Sequence, residues 1–471
     1  MSVLPSPANT SAPQSKGYEA NLDDLLLRFA VGPGRQLNIN TAPLQAQAIQ
    51  TSETPEDFQQ EFGQIYSRTD FSGGSGLDKA HKRDAGESAF TRFWDSKGVD
   101  VFSGKEVGQE YKVSLLKGTE ELSSSTNTNL YMEEMGGSIF FADSDVLKRI
   151  DTPTATSITV VSETAPSAGN AITGLAVLGT QLYIVANGVI YKRTSAGTYA
   201  THNSTKTFSK IWSMKGRIVA SDTSGDLYQV TSASSPTTMK TLPTGTEWTD
   251  LADGGAVVLG AASDGYIYSF ADESSSLTLK GQTFIEGEVP NAIDAAQGLI
   301  FYGTYQNTAS GKIGRLYRAE ITNANSLYVL INAQLIKQWG DGSTTIDQAP
   351  YKIVSTRDSI YTGIKDSATV TNFWRYYLPT TGIARDIEFA EGGIVEGIAI
   401  FSDRLFATIS GGGLYREATT FVSSGYIITA LADFFTSEKK QFVGAKLNTN
   451  HVSSGTIKLS TSTIASPLLN S

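Results

Sequence analysis

The chain has 471 residues, of which 40% are hydrophobic, 18% are charged and 45 are glycine, with a net charge of −10 and a pI near 5.0. It contains no cysteine, which excludes disulfides, thiolate nucleophiles and cysteine-based metal sites. An acidic chain without a dense Lys/Arg stripe repels a phosphate backbone, and no run approaches the roughly 18 apolar residues of a membrane helix. We therefore expect neither a nucleic-acid ligand nor a membrane span.

The first hundred residues predict an extended arm and then an attachment region. Residues 1–17 are rich in Pro, Ser, Ala and Thr, without periodicity and without the pattern of a secretory signal, which indicates an arm. Residues 18–108 form the attachment region. Its spacing predicts a helix over NLDDLLLRFA, capped by Asn21, and a second over TPEDFQQEFGQIY, capped by Thr54 with Pro55 in its first turn.

From residue 109 to residue 417 the sequence repeats a unit of an apolar strand, a turn, a second strand, a tight turn and a third strand with a large side chain. Seven copies recur at intervals of 37 to 57 residues, which matches the length of four-stranded propeller blades. The third-strand markers are Leu147, Tyr191, Tyr228, Tyr268, Tyr317, Trp374 and Tyr415. The sequence therefore predicts an all-β fold, a seven-bladed β-propeller, in which the marker rings pack between blades.

A ring of blades is stable only when its last sheet is closed, because an open edge exposes unpaired backbone groups. The segment QEYKVSLL, residues 109–116, alternates Tyr111, Val113 and Leu115 on one face and is the predicted closing strand. Residues 418–471 contain three strand-like segments and predict the start of a C-terminal β-sandwich-like domain.

The carboxylates that suggest chemistry fit turns better than catalysis. In AASDGYIYSF, Asp264 and Gly265 lie in a turn between two strands, and neither this turn nor the one at Asp222 has the S-x-D-x-G-x-T-W spacing of a sialidase-type propeller. A quinone-dependent propeller shares the S-D-G pattern but carries a docking Trp in most blades. The five Trp residues here do not occupy one blade position.

The histidines and the Asp-rich turns do not form a metal-binding pattern. His81, His202 and His451 are far apart and lack HxH or HExxH spacing. The turns DSDV and DTSGD offer oxygen ligands that calcium would accept, but solvated Asx turns explain them better. We therefore assign no catalytic, cofactor-binding or metal-binding residue and expect a protein that is not an enzyme and has no cofactor.

The segment from Phe62 to Val101, FGQIYSRTDFSGGSGLDKAHK…RFWDSKGVDV, resembles the opening of minor tail proteins of tailed bacteriophages. In that family a Tyr-x-x-x-Asp-Phe/Trp-Ser-Gly-Gly-x-Gly element and a Asp-Ser-x-Gly-Val-Asp element precede a β-propeller and β-sandwich modules. The matching positions are Tyr66, Asp70, Phe71, Ser72, Gly73, Gly74, Gly76, Asp95, Ser96, Gly98, Val99 and Asp100.

The resemblance implies a non-enzymatic structural component of a virion, at the tail tip or baseplate, made in the host cytoplasm. Its propeller would be a rigid scaffold for neighbouring tail proteins, with a homo-oligomeric ring as one arrangement. The alternative is a carbohydrate- or receptor-binding propeller for host recognition, because Tyr and Trp on a propeller rim suit stacking on a host surface glycan.

Overall fold

The computed structural model describes residues 17–22, 25–31, 37–43, 70–76, 91–103 and 113–429, apart from 233, 274 and 341–344. The chain divides into two compact units, Met1–Ser67 with Ala432–Ser471, and Arg68–Leu431. In the first unit, the described residues form an antiparallel sheet of β1 (Gly17–Leu22), β2 (Leu25–Val31) and β3 (Leu37–Pro43).

The helix predicted over NLDDLLLRFA is wrong, because β1 and β2 occupy this stretch. Leu22 pairs with Leu25 across the two strands, and β2 pairs along its whole length with β3 on its other side. A ten-residue helix is marginal by itself, whereas a central strand has its backbone groups paired from both sides. The second predicted helix, over residues 54–66, and nearly all of the predicted arm at 1–17 lie outside the described residues.

The second unit begins with six short strands that precede the repeats. They are β4 (Gly74–Ser75), β5 (Arg92–Phe93), β6 (Asp95–Lys97), β7 (Val99–Asp100), β8 (Ser114–Leu115) and β9 (Lys117–Ser124). Antiparallel meanders then follow one another along the chain, and we number them sheet 1 to sheet 7.

Sheets 1 to 4 each contain four strands in sequence order. Sheet 1 is β10 (Met132–Met135), β11 (Ser138–Asp143), β12 (Val146–Ile150) and β13 (Val161–Ser162). Sheet 2 is β14 (Ile172–Leu178), β15 (Gln181–Ala186), β16 (Val189–Ser195) and β17 (Thr198–Asn203). Sheet 3 is β18 (Phe208–Met214), β19 (Arg217–Asp222), β20 (Asp226–Val230) and β21 (Thr237–Thr241). Sheet 4 is β22 (Trp248–Asp253), β23 (Val257–Ala262), β24 (Tyr266–Glu273) and β25 (Ser276–Phe284).

Sheets 5 to 7 repeat the meander with additions from the N-terminal side. Sheet 5 is β26 (Val289–Ala296), β27 (Leu299–Asn307), β28 (Lys312–Ala324) and β29 (Leu327–Trp339). Sheet 6 is β30 (Ile353–Ser355), β31 (Ser359–Lys365), β32 (Thr371–Tyr377) and β33 (Gly382–Phe389), extended to six strands by β4 and β5. Sheet 7 is β34 (Val395–Phe401), β35 (Arg404–Ile409), β36 (Gly413–Phe421) and β9. A last strand, β37 (Tyr426–Ile428), pairs with β6.

The sheets are arranged in a ring. The first strands of consecutive sheets contact one another in chain order, and β34 of sheet 7 contacts β10 of sheet 1. The apolar core is divided accordingly, since each of its main clusters lies between two consecutive sheets, and the cluster between sheets 7 and 1 contains Phe141 and Phe406, both fully buried. The predicted all-β propeller class is therefore confirmed. Within the described residues there is no complete helix, and no helix long and apolar enough to cross a membrane.

Each third-strand marker lies on the third strand of its sheet. The Tyr268 ring packs 5.2 Å from that of Trp248, and the Tyr317 ring stacks 5.2 Å from that of Tyr302. These rings fill the spaces between sheets, as the repeat pattern predicts. The hairpin around Asp264 joins β23 and β24, the two middle strands of sheet 4.

The ring is closed by a strand from the N-terminal side, but not by the predicted one. β9 pairs antiparallel with β36, from Gly413 opposite Ser124 to Phe421 opposite Lys117. Within the predicted segment 109–116, β8 pairs with β7 instead, outside sheet 7. The alternation of Tyr111, Val113 and Leu115 is as regular as that of a closing strand. Which residues pair with β36 is nevertheless determined by where β36 ends, and the alternation of one segment carries no information about its partner.

Arg416 fixes this closure. Arg416 is 2% exposed, and its guanidinium contacts the carboxylate of Glu120 on β9 and donates to the carbonyls of Ala155 at 2.7 Å and Thr156 at 2.8 Å. One side chain on β36 thus holds both the closing strand and the loop between β12 and β13 of sheet 1. Five N–H donors in a planar fork suit such a junction of three chain segments.

The segment that resembles tail proteins forms a clasp on sheet 6, which we define as residues 70–76 and 91–102. β4 pairs parallel with β33 through Gly74 opposite Ile383, and β5 pairs parallel with β4. Phe93 and Phe102 are buried against sheet 6. Asp100 contacts the buried guanidinium of Arg375.

The conformation of Gly74 explains why the clasp needs glycine. Its φ is +77°, and a Cβ at this position would collide with the backbone of Ile383. Gly136, in the turn between β10 and β11, also has a positive φ of +59° but has nothing within 4 Å of a Cβ. Both glycines therefore have a backbone conformation that favours glycine, but only Gly74 lies too close to another backbone to accommodate a Cβ.

The domain boundaries predicted at residues 108 and 417 remain predictions. The described part of the C-terminal segment contains the end of β36 and then β37, which pairs with β6, and the other strands predicted there lie outside the described residues.

Replacing Arg416 by Met should lower the free energy of unfolding by about 3–4 kcal/mol, because the carbonyls of residues 155 and 156 and the Glu120 carboxylate lose their donor. Urea unfolding monitored by tryptophan fluorescence measures the change. The matched control is Arg357→Met, an exposed arginine, with an expected change within about 0.5 kcal/mol. Equal losses in the two variants would contradict the role of Arg416 in closure.

Replacing Gly74 by Ala should destabilise the protein more than replacing Gly136 by Ala. The Gly136 variant carries only the cost of a positive φ, about 1–2 kcal/mol, whereas the Gly74 variant adds about 1–3 kcal/mol of backbone displacement. Urea unfolding of both variants measures the difference, and limited proteolysis at residues 70–102 reports release of the clasp. Equal stability and equal proteolysis would show that the close approach to Ile383 is without consequence.

Candidate functional site

The aspartates that the sequence singles out are bonded within their own blades. Asp264 Oδ2 accepts a hydrogen bond from the hydroxyl of Tyr268 at 2.6 Å, and its Oδ1 accepts one from the amide of Tyr266 at 3.1 Å. Asp222 Oδ2 likewise accepts the hydroxyl of Tyr228 at 2.9 Å. Burial and the bond to Asp264 raise the pKa of the Tyr268 hydroxyl. In each of these two sheets, the carboxylate thus holds the turn between the second and third strands against the buried tyrosine of the third strand.

The remaining sequence candidates are structural in the same way. Asp143 of the DSDV turn accepts the side chains of Ser125 and Asn127 and pairs with Lys148 at 2.5 Å. His202 packs edge-on against Tyr183. Burial lowers its pKa, as does the neighbouring Lys192. His81 and His451 lie outside the described residues.

The structure brings together a group of charged side chains that the sequence analysis did not single out. They project from the first strands of six sheets or from the residue before such a strand, where neighbouring first strands meet around the axis of the ring. We call this group the channel cluster. It consists of Glu133, Lys210, Asp250, Asp294, Lys352 and Glu396.

Lys352 is the electrostatic centre of the channel cluster. Its Nζ lies 3.5 Å from Asp250 Oδ1, and Glu133 and Asp294 add to the negative field around it. Asp250 raises the pKa of the Lys352 ammonium against the opposing effect of burial, so the lysine is charged. Asp250 is itself fixed by the indole Nε1–H of Trp212 at 3.2 Å and by the amide of Ile293 at 3.2 Å.

Asp294 is held by backbone donors. Its Oδ2 accepts the amide of Ser355 at 2.6 Å and its Oδ1 the amide of Ala295 at 2.8 Å. Burial nevertheless raises its pKa. The carboxylate therefore links the first strands of sheets 5 and 6, so its role in the cluster is structural.

Glu133 and Glu396 are the weakly compensated acids of the cluster. Burial raises the pKa of Glu133 to about 7, with Lys352 opposing the shift and Asp250 adding to it. Burial also raises the pKa of Glu396 to about 7, opposed by Lys210 and Lys352. Both acids can therefore gain or lose a proton near neutral pH.

A second group of polar side chains lies where strands β28 and β30 begin. Lys312 Nζ sits 4.4 Å from the Tyr305 ring centroid and 5.2 Å from that of Tyr351, and pairs with Asp347 at 2.8 Å. The Tyr351 hydroxyl donates to Asp347 Oδ2 at 2.6 Å. The ammonium is thus enclosed by two rings and a carboxylate of its own chain, which is a stabilising cation–π arrangement.

Strands β28 and β29 form the longest hairpin of the described residues. Its tip extends beyond Leu299, the first residue of β27, which pairs with Glu320 of β28. The far end of β29 turns one face towards β25 of sheet 4, where the Leu330 amide donates to Thr283 Oγ1 at 2.9 Å and Leu330 is buried. Alternation along the strand puts Leu327, Val329 and Ile331 on the opposite face. We call these three residues the rim strip. Leu327 is 56% exposed and Ile331 is 39% exposed.

Within the residues that the structure describes, no three His, Asp or Glu side chains converge as a metal site would require. The channel cluster mixes carboxylates with two ammonium groups, and two of its carboxyls, Glu133 and Glu396, have pKa values raised to about 7. The signal in the sequence was a charged residue at the start of an otherwise apolar repeat. Without the register of the strands, nothing in the sequence indicates that these residues meet.

Comparisons with known proteins bear on the fold. No family model and no curated protein matches the chain. Solved structures similar to it include the β-propeller domain of Cps50 (Swd1) from Myceliophteria thermophila, at 11% identity and a TM-score of 0.47, covering 64% of this chain and all of that one. A mitotic checkpoint complex chain (10%, TM-score 0.46) and U3-55K (11%, TM-score 0.46) also cover 64% of this chain, and 95% and 98% of their own.

The predicted function as a component of a phage tail tip or baseplate is wrong, as is its alternative of a host-recognition propeller. The similar structures are the β-propeller domain of Swd1, a chain of a mitotic checkpoint complex and U3-55K, and not virion components. Two residues of the motif hold the clasp against sheet 6: Gly74 pairs with Ile383, and Asp100 contacts Arg375. The resemblance of residues 62–101 itself, and the predicted location in a virion, stay predictions that no comparison tests.

Replacing Lys352 by Met should lower the free energy of unfolding by about 2–3 kcal/mol at pH 8, because Asp250 and Asp294 lose their shared counter-charge. Without the lysine the pKa values of Asp294 and Glu133 in the folded state rise further, so the loss should shrink as the pH falls towards 5 and these carboxyls take up protons. Chemical unfolding at several pH values measures both effects. Lys206→Met, at an exposed lysine, is the control, and a pH-independent loss in the Lys352 variant would contradict this account.

Proposed function

We propose that this protein is a non-enzymatic interaction scaffold, a seven-bladed propeller that binds a partner protein on its rim through the hairpin β28–β29. The observation that carries the proposal is the rim strip. Apolar side chains exposed together on a fixed strand cost free energy in a monomer unless they are covered, and such groups are typical of protein–protein contacts.

The hairpin is anchored well enough to present a defined surface. Its far end is fixed by the Leu330–Thr283 hydrogen bond and by the close approach of Tyr328 to Gly281. Its near end is fixed by Lys337, which donates to Ser75 Oγ of the clasp at 2.8 Å, and by Trp339, which packs on Trp374. A partner therefore meets the rim strip with little ordering cost, which favours affinity.

The strand β29 is suited to contacts through its face and not through its edge. Asn332 has a φ of +53°, and the register with β28 shifts between Arg318 and Glu320. Such a bulge interrupts the row of backbone groups that an added strand would need. We therefore propose a partner that packs apolar side chains on Leu327, Val329 and Ile331.

The repeat and the strand pairings support the proposed count of seven blades. Four strands of sheet 6 repeat the meander of the other sheets, with β4 and β5 as additions, and sheet 7 takes its fourth strand from β9. Three aspartates that could act in acid–base chemistry support a non-enzymatic role. Asp222, Asp264 and Asp347 each accept a hydrogen bond from the hydroxyl of a nearby tyrosine.

A photo-crosslinking amino acid at Val329, introduced into the full chain in the cells that produce it, tests the proposal. We expect an adduct of discrete mass that falls at least tenfold when Leu327→Asp and Ile331→Asp are combined, because two charges would have to be buried against the partner's apolar surface.

The matched control is Leu335→Asp on the same strand. Leu335 is 38% exposed, but pairs with Tyr317 and lies on the opposite face from the rim strip. It should leave the adduct unchanged, and circular dichroism should show that all variants fold. No adduct at Val329, or an equal loss in the Leu335 variant, would contradict a partner on the rim strip.

A further inference from the structure

A small pocket lies between sheets 1 and 2, bounded by the turns β10–β11 and β14–β15. Its volume is about 350 Å³, at the small end of the range for ligand pockets. Met135 and Phe140 line its apolar part, and Arg149 and Arg193 line its charged part. None of these residues belongs to the channel cluster or to the rim strip, so the pocket is a separate candidate site.

The two guanidinium groups are held in place by one buried carboxylate. The side chain of Glu163 is 2% exposed. Its oxygens accept hydrogen bonds from Arg149 Nη1 at 2.8 Å and from Arg193 Nε at 2.8 Å and Nη2 at 2.6 Å. The amide of Gly197 and the hydroxyl of Tyr199 donate to the same carboxylate, at 3.0 and 3.3 Å. Glu163 therefore fixes both arginines and neutralises one of their two positive charges.

The second positive charge is balanced by an aspartate that is half in water. Asp151 lines the pocket; its Oδ1 lies 2.6 Å from Arg149 Nε, and Arg149 Nη2 donates to its Oδ2 at 3.0 Å. The Asp151 side chain is 53% exposed. An ion pair with so much access to water is weak, because water solvates the separated partners almost as well. The Asp151 carboxylate is therefore readily exchanged for another one.

Arg193 offers a further donor to an incoming carboxylate. Its Nε and Nη2 are used by Glu163, whereas its Nη1 donates to no group within the part of the chain that the structure describes. The face of its guanidinium packs on the Phe140 ring, 4.9 Å from the centroid. Asp151 contributes to the negative field at Arg193 as well as at Arg149. The position of the Asp151 carboxylate is thus attractive to an anion from both arginines.

We propose that this pocket binds the carboxylate of a peptide, from an acidic side chain or from a C-terminus, in place of Asp151. The incoming carboxylate pairs with Arg149 and accepts a further hydrogen bond from Arg193, while apolar atoms of the same residue pack on the apolar part of the pocket. One negative charge keeps the two guanidinium groups balanced once Asp151 turns into solvent. A phosphate dianion is disfavoured, because it adds an excess negative charge beside the buried Glu163.

Methyl NMR of the full chain with isotope-labelled methionine tests the proposal, because Met135 lines the pocket and the chain has only five methionines. The Met135 signal is assigned by its absence in Met135→Leu. N-acetylleucine supplies a terminal carboxylate, the α-amide of N-acetylglutamic acid supplies a side-chain carboxylate, and N-acetylleucinamide carries no charge.

We expect at least one carboxylate probe to shift the Met135 signal saturably, with a Kd of about 1–10 mM for so small a ligand, and the tighter of the two identifies the source of the carboxylate. The uncharged probe should leave the signal in place. An equal shift by the uncharged probe, a shift by inorganic phosphate alone, or no saturable shift by either carboxylate overturns the proposal.

Asp151→Asn should tighten the binding of the carboxylate probe about threefold, because a neutral amide no longer competes for Arg149. Asp272→Asn is the matched control, since Asp272 also forms a partly exposed pair with an arginine, Arg217, at 2.8 Å. This control should leave the Kd unchanged. The same Kd in the Asp151 variant as in the unaltered protein overturns the proposed exchange.

Arg193→Lys tests the further donor. The lysine keeps a positive charge beside Glu163 but lacks Nη1, so the carboxylate probe should bind about fivefold more weakly. Unchanged signals of the methionines outside the pocket show that the variant is folded. Binding as tight as in the unaltered protein overturns the role of Arg193, and if this variant does not fold, Asp151→Asn decides the proposal by itself.

Discussion

The pairing of β9 with β36 is the constraint on which the rest of the structure depends. Sheets in a ring bury their apolar faces only against each other, so every cluster between two sheets requires that the last sheet meet the first. The strand that completes sheet 7 comes from before sheet 1 in the chain. Arg416 reinforces this junction by binding the closing strand and the β12–β13 loop with one guanidinium. The closure thus joins residues 296 positions apart, Glu120 and Arg416, whereas the other core clusters between sheets join sheets that are consecutive in the chain.

The same geometry explains why charge collects at the axis. Apolar side chains of each sheet are directed into the spaces between sheets, where Trp248, Phe141 and Phe406 are buried. The first strands converge around the axis and leave a space that is lined by their side chains. Lys352 and the carboxylates around it occupy this lining, each with partial access to solvent or a hydrogen-bond partner. Placing them there costs stability when a partner is missing, and this is what couples the axis to pH.

The clasp is held in place by different contacts from those that hold the blades. It lies on the outer side of sheet 6, where it covers an edge with two short parallel strands and an apolar surface with Phe93 and Phe102. Its motif carries the resemblance to a protein family, and glycine and aspartate at fixed spacing are rare in a generic strand pattern. The structure gives these residues a local reason: Gly74 permits contact between two backbones, and Asp100 neutralises the buried Arg375.

The sequence by itself determined the propeller class, the third strand of every sheet and the structural character of Asp222 and Asp264, because apolar alternation and turn chemistry act over a few residues. It misassigned β1 and β2 as a helix, since Leu25 and Phe29, four residues apart, fit both the helical and the strand period until pairing decides. It placed the closing strand a few residues too early, because register depends on a partner some 300 residues away. Only the tertiary structure decided that Glu133, Lys352 and Glu396 meet at the axis, and that one face of the long hairpin is covered while Leu327 and Ile331 are not, because distant strands contribute each of these neighbours.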